Sequence, residues 1–93
     1  MKFVVKKVEF EFEENVKERE KLMFYSIFEI VFKDYAPKTT LEIKEDAIEF
    51  NKFISINTVN NVLANIATPA EYIIKEIEYE AEEQKVEVEI EIK

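Results

Sequence analysis

PAEYIIKEIEYEAEEQKVEVEIEIK, Pro69 to Lys93, supports two readings, and the fold turns on the choice between them. Ala70, Ile73, Ile74 and Ile77 recur at helical spacing behind Thr68, Pro69 and Glu71, which together make a Thr N-cap, a first-turn proline and a capping-box glutamate. From Ile77 onward the same stretch alternates. Ile77, Tyr79 and Ala81 interleave with Glu78, Glu80 and Glu82, and Val86, Val88, Ile90 and Ile92 interleave with Glu87, Glu89 and Glu91. That is the period of a strand with one dry and one wet face. The adopted reading is one or two helical turns to about Ile74, then a hairpin of 75–82 and 85–92. A single long helix over 69–84 is the alternative.

If Ala81 faces Val86 across the turn, Glu80 faces Glu87, Glu78 faces Glu89 and Glu76 faces Glu91. Like charges directly opposite destabilise a sheet by some tenths of a kcal/mol per pair. Residues 71–93 hold nine glutamates against three lysines, so −6 of the chain's net −8 is gathered at this end. Two functions fit such a comb. It is the solvated side of an antiparallel sheet, or it is an acidic surface of Glu78, Glu80, Glu87, Glu89 and Glu91 that meets a basic partner, in one version by imitating nucleic-acid phosphate. Direct nucleic-acid binding is disfavoured, because it requires clustered Lys and Arg.

Working outward, VEFEFE (Val8 to Glu13) repeats the rhythm, but Phe3 and Val5 are odd-numbered whereas Val8, Phe10 and Phe12 are even. One strand shows one parity per face, so either a bulge sits near Lys6 and Lys7 or the strand buries both faces at its start. Asn15, three residues before Glu18, predicts a helix cap and a helix to about Asp34. In that helix Met23, Ile27, Ile30 and Val31 line one side, while Phe24, Phe28, Phe32 and Tyr35 line a neighbouring one. A helix so apolar on more than one face is expected to be covered twice, by a sheet and by a second copy or related subunit. Phe24, Phe28, Phe32 and Tyr35 are the candidate interface. Pro37 ends the segment.

LEIK (Leu41 to Lys44) and AIEFNKFISI (Ala47 to Ile56), separated by Glu45 and Asp46, predict a hairpin. Asn57 then predicts the cap of a helix carrying Val59, Val62, Leu63 and Ile66. The expected order is β-α-β-β-α-β-β: an α+β domain spanning 1–93, with an antiparallel-rich sheet and two helices on one face.

The 93 residues hold no cysteine, histidine or glycine. This removes disulfides, thiol nucleophiles, zinc sites of the usual donors, imidazole acid–base chemistry and glycine-rich phosphate loops. Ser26 and Ser55 have no histidine to activate them. Adjacent Glu45 and Asp46 could hold a hard cation, although two carboxylates in a turn are usually just solvated. The expectation is a non-catalytic protein without cofactor or bound metal. The longest apolar run, Leu22 to Phe32, is too short to span a bilayer and the N-terminus turns acidic where a signal peptide is apolar, so a cytoplasmic location and no membrane partner are expected. Twelve lysines to one arginine and nineteen glutamates to two aspartates resemble the usage of hyperthermophiles, which suggests a heat-loving archaeon or its virus as source.

FEFEENVKEREKLMFYSIF, then Pro37, then TTLEIKEDAIEF, then a helix from Asn57, resembles over residues 5–75 the small dimerisation subunit of the KEOPS complex, which supports threonylcarbamoyl modification of transfer RNA. The resemblance implies a non-catalytic α+β dimer whose helices dock a catalytic subunit. Asn60 stands where that family's second helix has an arginine, and KVEVEIEIK has no counterpart there.

Overall fold

In the computed structural model, which describes residues 3–66 and 72–92, two helices lie on one face of a five-stranded sheet. The elements are β1 (Val4–Phe12), α1 (Glu18–Tyr35), β2 (Leu41–Ile43), β3 (Ala47–Ser55), α2 (Ile56–Asn65), β4 (Tyr72–Glu80) and β5 (Lys85–Ile92). This is the α+β order that the patterning predicts. Spatially the strands run β2-β3-β1-β5-β4. The sheet is mixed rather than purely antiparallel: β1 pairs with β5 in parallel, and the other three ladders are antiparallel.

The disputed stretch is strand. Tyr72, Ile73 and Ile74 pair with Ile92, Glu91 and Ile90, so neither a helix reaching Ile74 nor one running to 84 exists. Alternation wins because Tyr72, Val86, Val88 and Ile90 all enter the core, which a helix could not arrange. The Thr68, Pro69 and Glu71 cap lies outside the described residues.

The expected register across this hairpin is off by two. Tyr79, not Ala81, faces Val86; Glu80 faces Lys85, Glu78 faces Glu87 and Glu76 faces Glu89. The turn causes the shift, and a bulge further along changes the register once more. The connection is a four-residue turn, 81–84, closed by Gln84 in the left-handed region at φ 52°. A bulge between Ile74 and Glu76 then absorbs Lys75 and restores the inward direction of Ile74. The bulge expected in β1 is present, between Val5 and Lys7.

Both helices begin later or earlier than their asparagines suggest. Asn15 sits in a turn, and α1 starts at Glu18, where the Lys17 N–H donates to the Glu20 carboxylate at 3.4 Å and the Glu20 N–H to the Lys17 carbonyl at 2.9 Å. Glu18 and Glu20 in the first turn and Lys33 in the last suit the helix dipole. For α2, the cap is Ser55 rather than Asn57. The Ser55 hydroxyl accepts the Thr58 N–H at 3.2 Å, so the helix springs directly from the end of β3.

The core lies between helices and sheet. Phe10 projects from β1 into a ring of edge-on contacts with Phe24, Tyr25 and Phe28, at centroid distances of 5.1, 5.3 and 5.6 Å. Phe28, Phe32 and Phe50 continue it as a stack. Val59, Val62 and Leu63 of α2 and Val86, Val88 and Ile90 of β5 complete the cluster. Phe24, Phe28 and Phe32 are therefore enclosed within one chain, at 1%, 0% and 0% exposure, and do not form the external face expected of them. The reason is directional: their stripe faces Phe10 and Phe50 on the sheet. The exposed apolar residues of α1 are Leu22, Met23, Ile30 and, at its end, Tyr35.

Candidate functional site

The other side of the sheet is open, and its chemistry follows from the strand order. Inward residues Val8, Phe10, Val86, Val88 and Ile90 go to the core, so the intervening residues of β1 and β5 stand on the opposite face. Because β1 and β5 pair in parallel and in phase, the glutamate comb of VEFEFE abuts that of KVEVEIEIK: Glu9 faces Glu87 and Glu11 faces Glu89. On the far side β4 brings Glu78 opposite Glu87 and Glu76 opposite Glu89. Two rows of three carboxylates result, Glu78-Glu87-Glu9 and Glu76-Glu89-Glu11. A third row, Glu80-Lys85-Lys7-Glu49-Glu42, crosses all five strands with mixed charge.

Lys85 organises one end of this face. Its ammonium is within 2.8 Å of Glu9, 2.9 Å of Glu83, 3.2 Å of Glu87 and 3.6 Å of Glu80, and its side chain is 12% exposed. Hydrogen bonds to Glu83 and Glu9 hold it far above the ordinary lysine range. Glu83 is pulled below its ordinary value by the hydrogen bond from Lys85, while Glu80 is pushed up by burial and by the charge of Glu87. Displaced into the bulge, Lys75 binds Glu91 at 2.9 Å, and that hydrogen bond raises it. Lys7 lies 3.8 Å from Glu9.

Glu11, Glu76, Glu78 and Glu89 have no lysine or arginine within ion-pair distance among the described residues. At the end of the sheet that carries Glu11 and Glu89, a depression of about 340 Å³ opens between Glu11, Glu13, Lys75, Glu89 and Glu91.

All five acids expected from the sequence, Glu78, Glu80, Glu87, Glu89 and Glu91, share this face, but they do not act alike. Glu80 and Glu87 are engaged by Lys85 and Glu91 by Lys75, whereas Glu78 and Glu89 have no ion-pair partner within 4 Å among the described residues, Glu89 lying only in the wider field of Lys75. The sequence reading missed Glu9 and Glu11 as members of the same array, and it set Glu76 opposite Glu91 without counting it in the acidic surface. The alternation was visible, but the adjacency of β1 and β5 was not. Among the described residues no group of three or more acidic side chains is arranged to hold a metal ion, and no helix is long and apolar enough to cross a membrane. No family model, no curated protein and no solved structure matches the chain.

Proposed function

We propose that the chain is a non-catalytic interaction protein whose open sheet face docks a basic surface, of the kind that otherwise grips nucleic-acid phosphate. The carrying observation is the three-strand carboxylate array with Glu11, Glu76, Glu78 and Glu89 unpaired among the described residues. Like charges set directly opposite one another weaken a sheet, and a face needed only for solubility is served equally well by alternating signs, as in the row through Lys85 and Lys7. Carboxylates two residues apart on a strand repeat every ~6.8 Å, so three strands abreast place one carboxylate per roughly 2.3 Å, before the charge of Lys85 is set against Glu9 and Glu87. Duplex DNA carries one per ~1.7 Å of axis. A lysine- or arginine-lined groove fitted to phosphates is thereby offered a dense array of carboxylates, at a lower line charge than the duplex, on a rigid sheet that loses little entropy on docking.

Glu11, Glu76, Glu78 and Glu89 contribute the attraction in this reading, and Lys85 preserves the shape of the array by holding Glu9, Glu80, Glu83 and Glu87 together. A place within a transfer-RNA-modifying assembly would be one setting for such a subunit. The test is affinity capture from native extract with the wild-type chain and a Glu76→Lys/Glu78→Lys/Glu89→Lys variant, at low and high salt. The expected result is a basic nucleic-acid-handling protein that is lost by the variant, weakens steeply with salt and is released by added nucleic acid. A partner retained equally by the variant, or not displaced by nucleic acid, overturns the reading.

A further inference from the structure

The outer side of α1 is apolar without being buried. Leu22, Met23 and Ile30 are 52%, 48% and 66% exposed, and Ile27 beside them is half-buried. Between them sits Ser26, whose hydroxyl donates to the Leu22 carbonyl at 3.0 Å and so needs no water. A small residue with its polar group satisfied inside its own helix allows close, dry approach by another helix.

The charges at the two ends of α1 say which helix. Arg19 and Glu20 lie in the first turn, Lys33 and Asp34 in the last. If two copies of α1 run antiparallel about a twofold axis between Ser26 and Ile27, residue numbers across the seam add to a constant. Met23 then faces the partner's Ile30, and Ser26 faces the partner's Ile27. Arg19 meets the partner's Asp34, whereas Glu20 is held within its own chain by the Lys17 N–H and the Tyr72 hydroxyl. Symmetry repeats the pair, which places two opposite-charge pairs around an apolar centre. Moving the register by one residue sets Arg19 against the partner's Lys33, so charge selects one alignment.

The rest of the molecule permits this contact. Over α1, three bases (Arg19, Lys21, Lys33) oppose four acids (Glu18, Glu20, Glu29, Asp34), a net of −1, and α2 carries no charge at all. The remaining negative charge of the −8 chain stands mostly on the strands and turns. Pairing through the helix layer stacks sheet, helices, helices and sheet, with both carboxylate arrays facing outward and apart. We propose that the chain forms an antiparallel, twofold homodimer through Leu22, Met23, Ile27 and Ile30 of α1, in the register set by Arg19–Asp34. A seam one helix wide buries less than the ~800 Å² per partner of a standard interface, so the dimer is weak and depends on concentration.

Sedimentation equilibrium on the full chain, from about 10 µM to about 1 mM, tests the proposal. The mass rises from 11.1 kDa toward twice that value, and added salt leaves the association intact or strengthens it by screening the net charge of the two copies. Ile30→Glu abolishes the rise with an unchanged circular dichroism spectrum. Asp34→Lys weakens association, and Arg19→Glu added to it restores the dimer, because the pair is reversed. A monomer throughout the range, a dimer indifferent to Ile30→Glu, or a failure of Arg19→Glu to rescue Asp34→Lys overturns it. The substitutions Glu76→Lys, Glu78→Lys and Glu89→Lys leave this association intact, so its failure and failure of the acidic-face reading are distinguishable.

Discussion

Gln84 and Tyr25 show how single side chains record the constraints of this fold. A chain without glycine must close its β4–β5 turn with another residue, and Gln84 occupies the left-handed region there at φ 52°. Its carbonyl accepts the Lys6 N–H at 2.7 Å, tying the turn to the bulge of β1. Gln84→Gly removes the Cβ that makes this conformation unfavourable, and chemical denaturation is expected to show a gain of ~0.5–1 kcal/mol. Tyr25 is buried in the core, with its hydroxyl at 3.4 Å from the Glu45 carbonyl. Burial, with the charges of Asp46 and Glu18, pushes its ionisation up to about 12 from 10.0. The folded state therefore favours the neutral phenol. That contribution is complete below pH 10, declines as the unfolded chain ionises, and is gone above about pH 12. Thermal melts should fall steeply over that window, by roughly 2 kcal/mol attributable to this ring, and Tyr25→Phe should flatten that part of the curve.

At the scale of elements, the two ends of the chain use opposite strategies. At the start of α2, a local bond decides: Ser55 caps the helix, and Ser55→Ala is expected to lower stability by ~1 kcal/mol in urea titration, while Asn57→Ala, at an exposed position within the first turn, changes little. In β4 and β5 tertiary pairing decides. Glu78 stands opposite Glu87 and without a cation among the described residues. Glu78→Lys converts a repulsive cross-strand pair into an attractive one and should raise stability by ~0.5 kcal/mol, measured by the same titration. The same substitution removes one of the four acids assigned to docking. A gain in stability together with weaker partner binding is the signature expected of charge kept for function. β4 is also a long edge strand, and its glutamates with the Lys75 bulge discourage edge-to-edge aggregation.

For the molecule as a whole, the aromatic cluster is the common support of both faces. Phe28 touches the Phe10 and Phe32 rings and is fully enclosed. Phe28→Ala should therefore cost about 3–5 kcal/mol and lower the melting temperature of the whole chain in a single transition, with loss of near-ultraviolet circular dichroism on heating. The sequence by itself determined the order of the elements, the two apolar sides of α1 and the existence of acid combs. Each is a local pattern of period 2 or 3.6, written over neighbouring residues. For β1 the sequence left a bulge and a strand buried on both faces open, and the pairing with β3 shows the bulge. Three further matters were decided only by tertiary structure. Which apolar side of α1 is core depended on where Phe10 and Phe50 stand. The hairpin register depended on a four-residue turn and a bulge that no motif announces. The joining of Glu9 and Glu11 to the C-terminal acids depended on β1 and β5, more than seventy residues apart, lying side by side. Periodicity specifies which residues share a face, but not which strand is the neighbour. That choice is made by burying the inward residues of β1, β3 and β5 together under two helices, and it brings the carboxylates on the other side into one array.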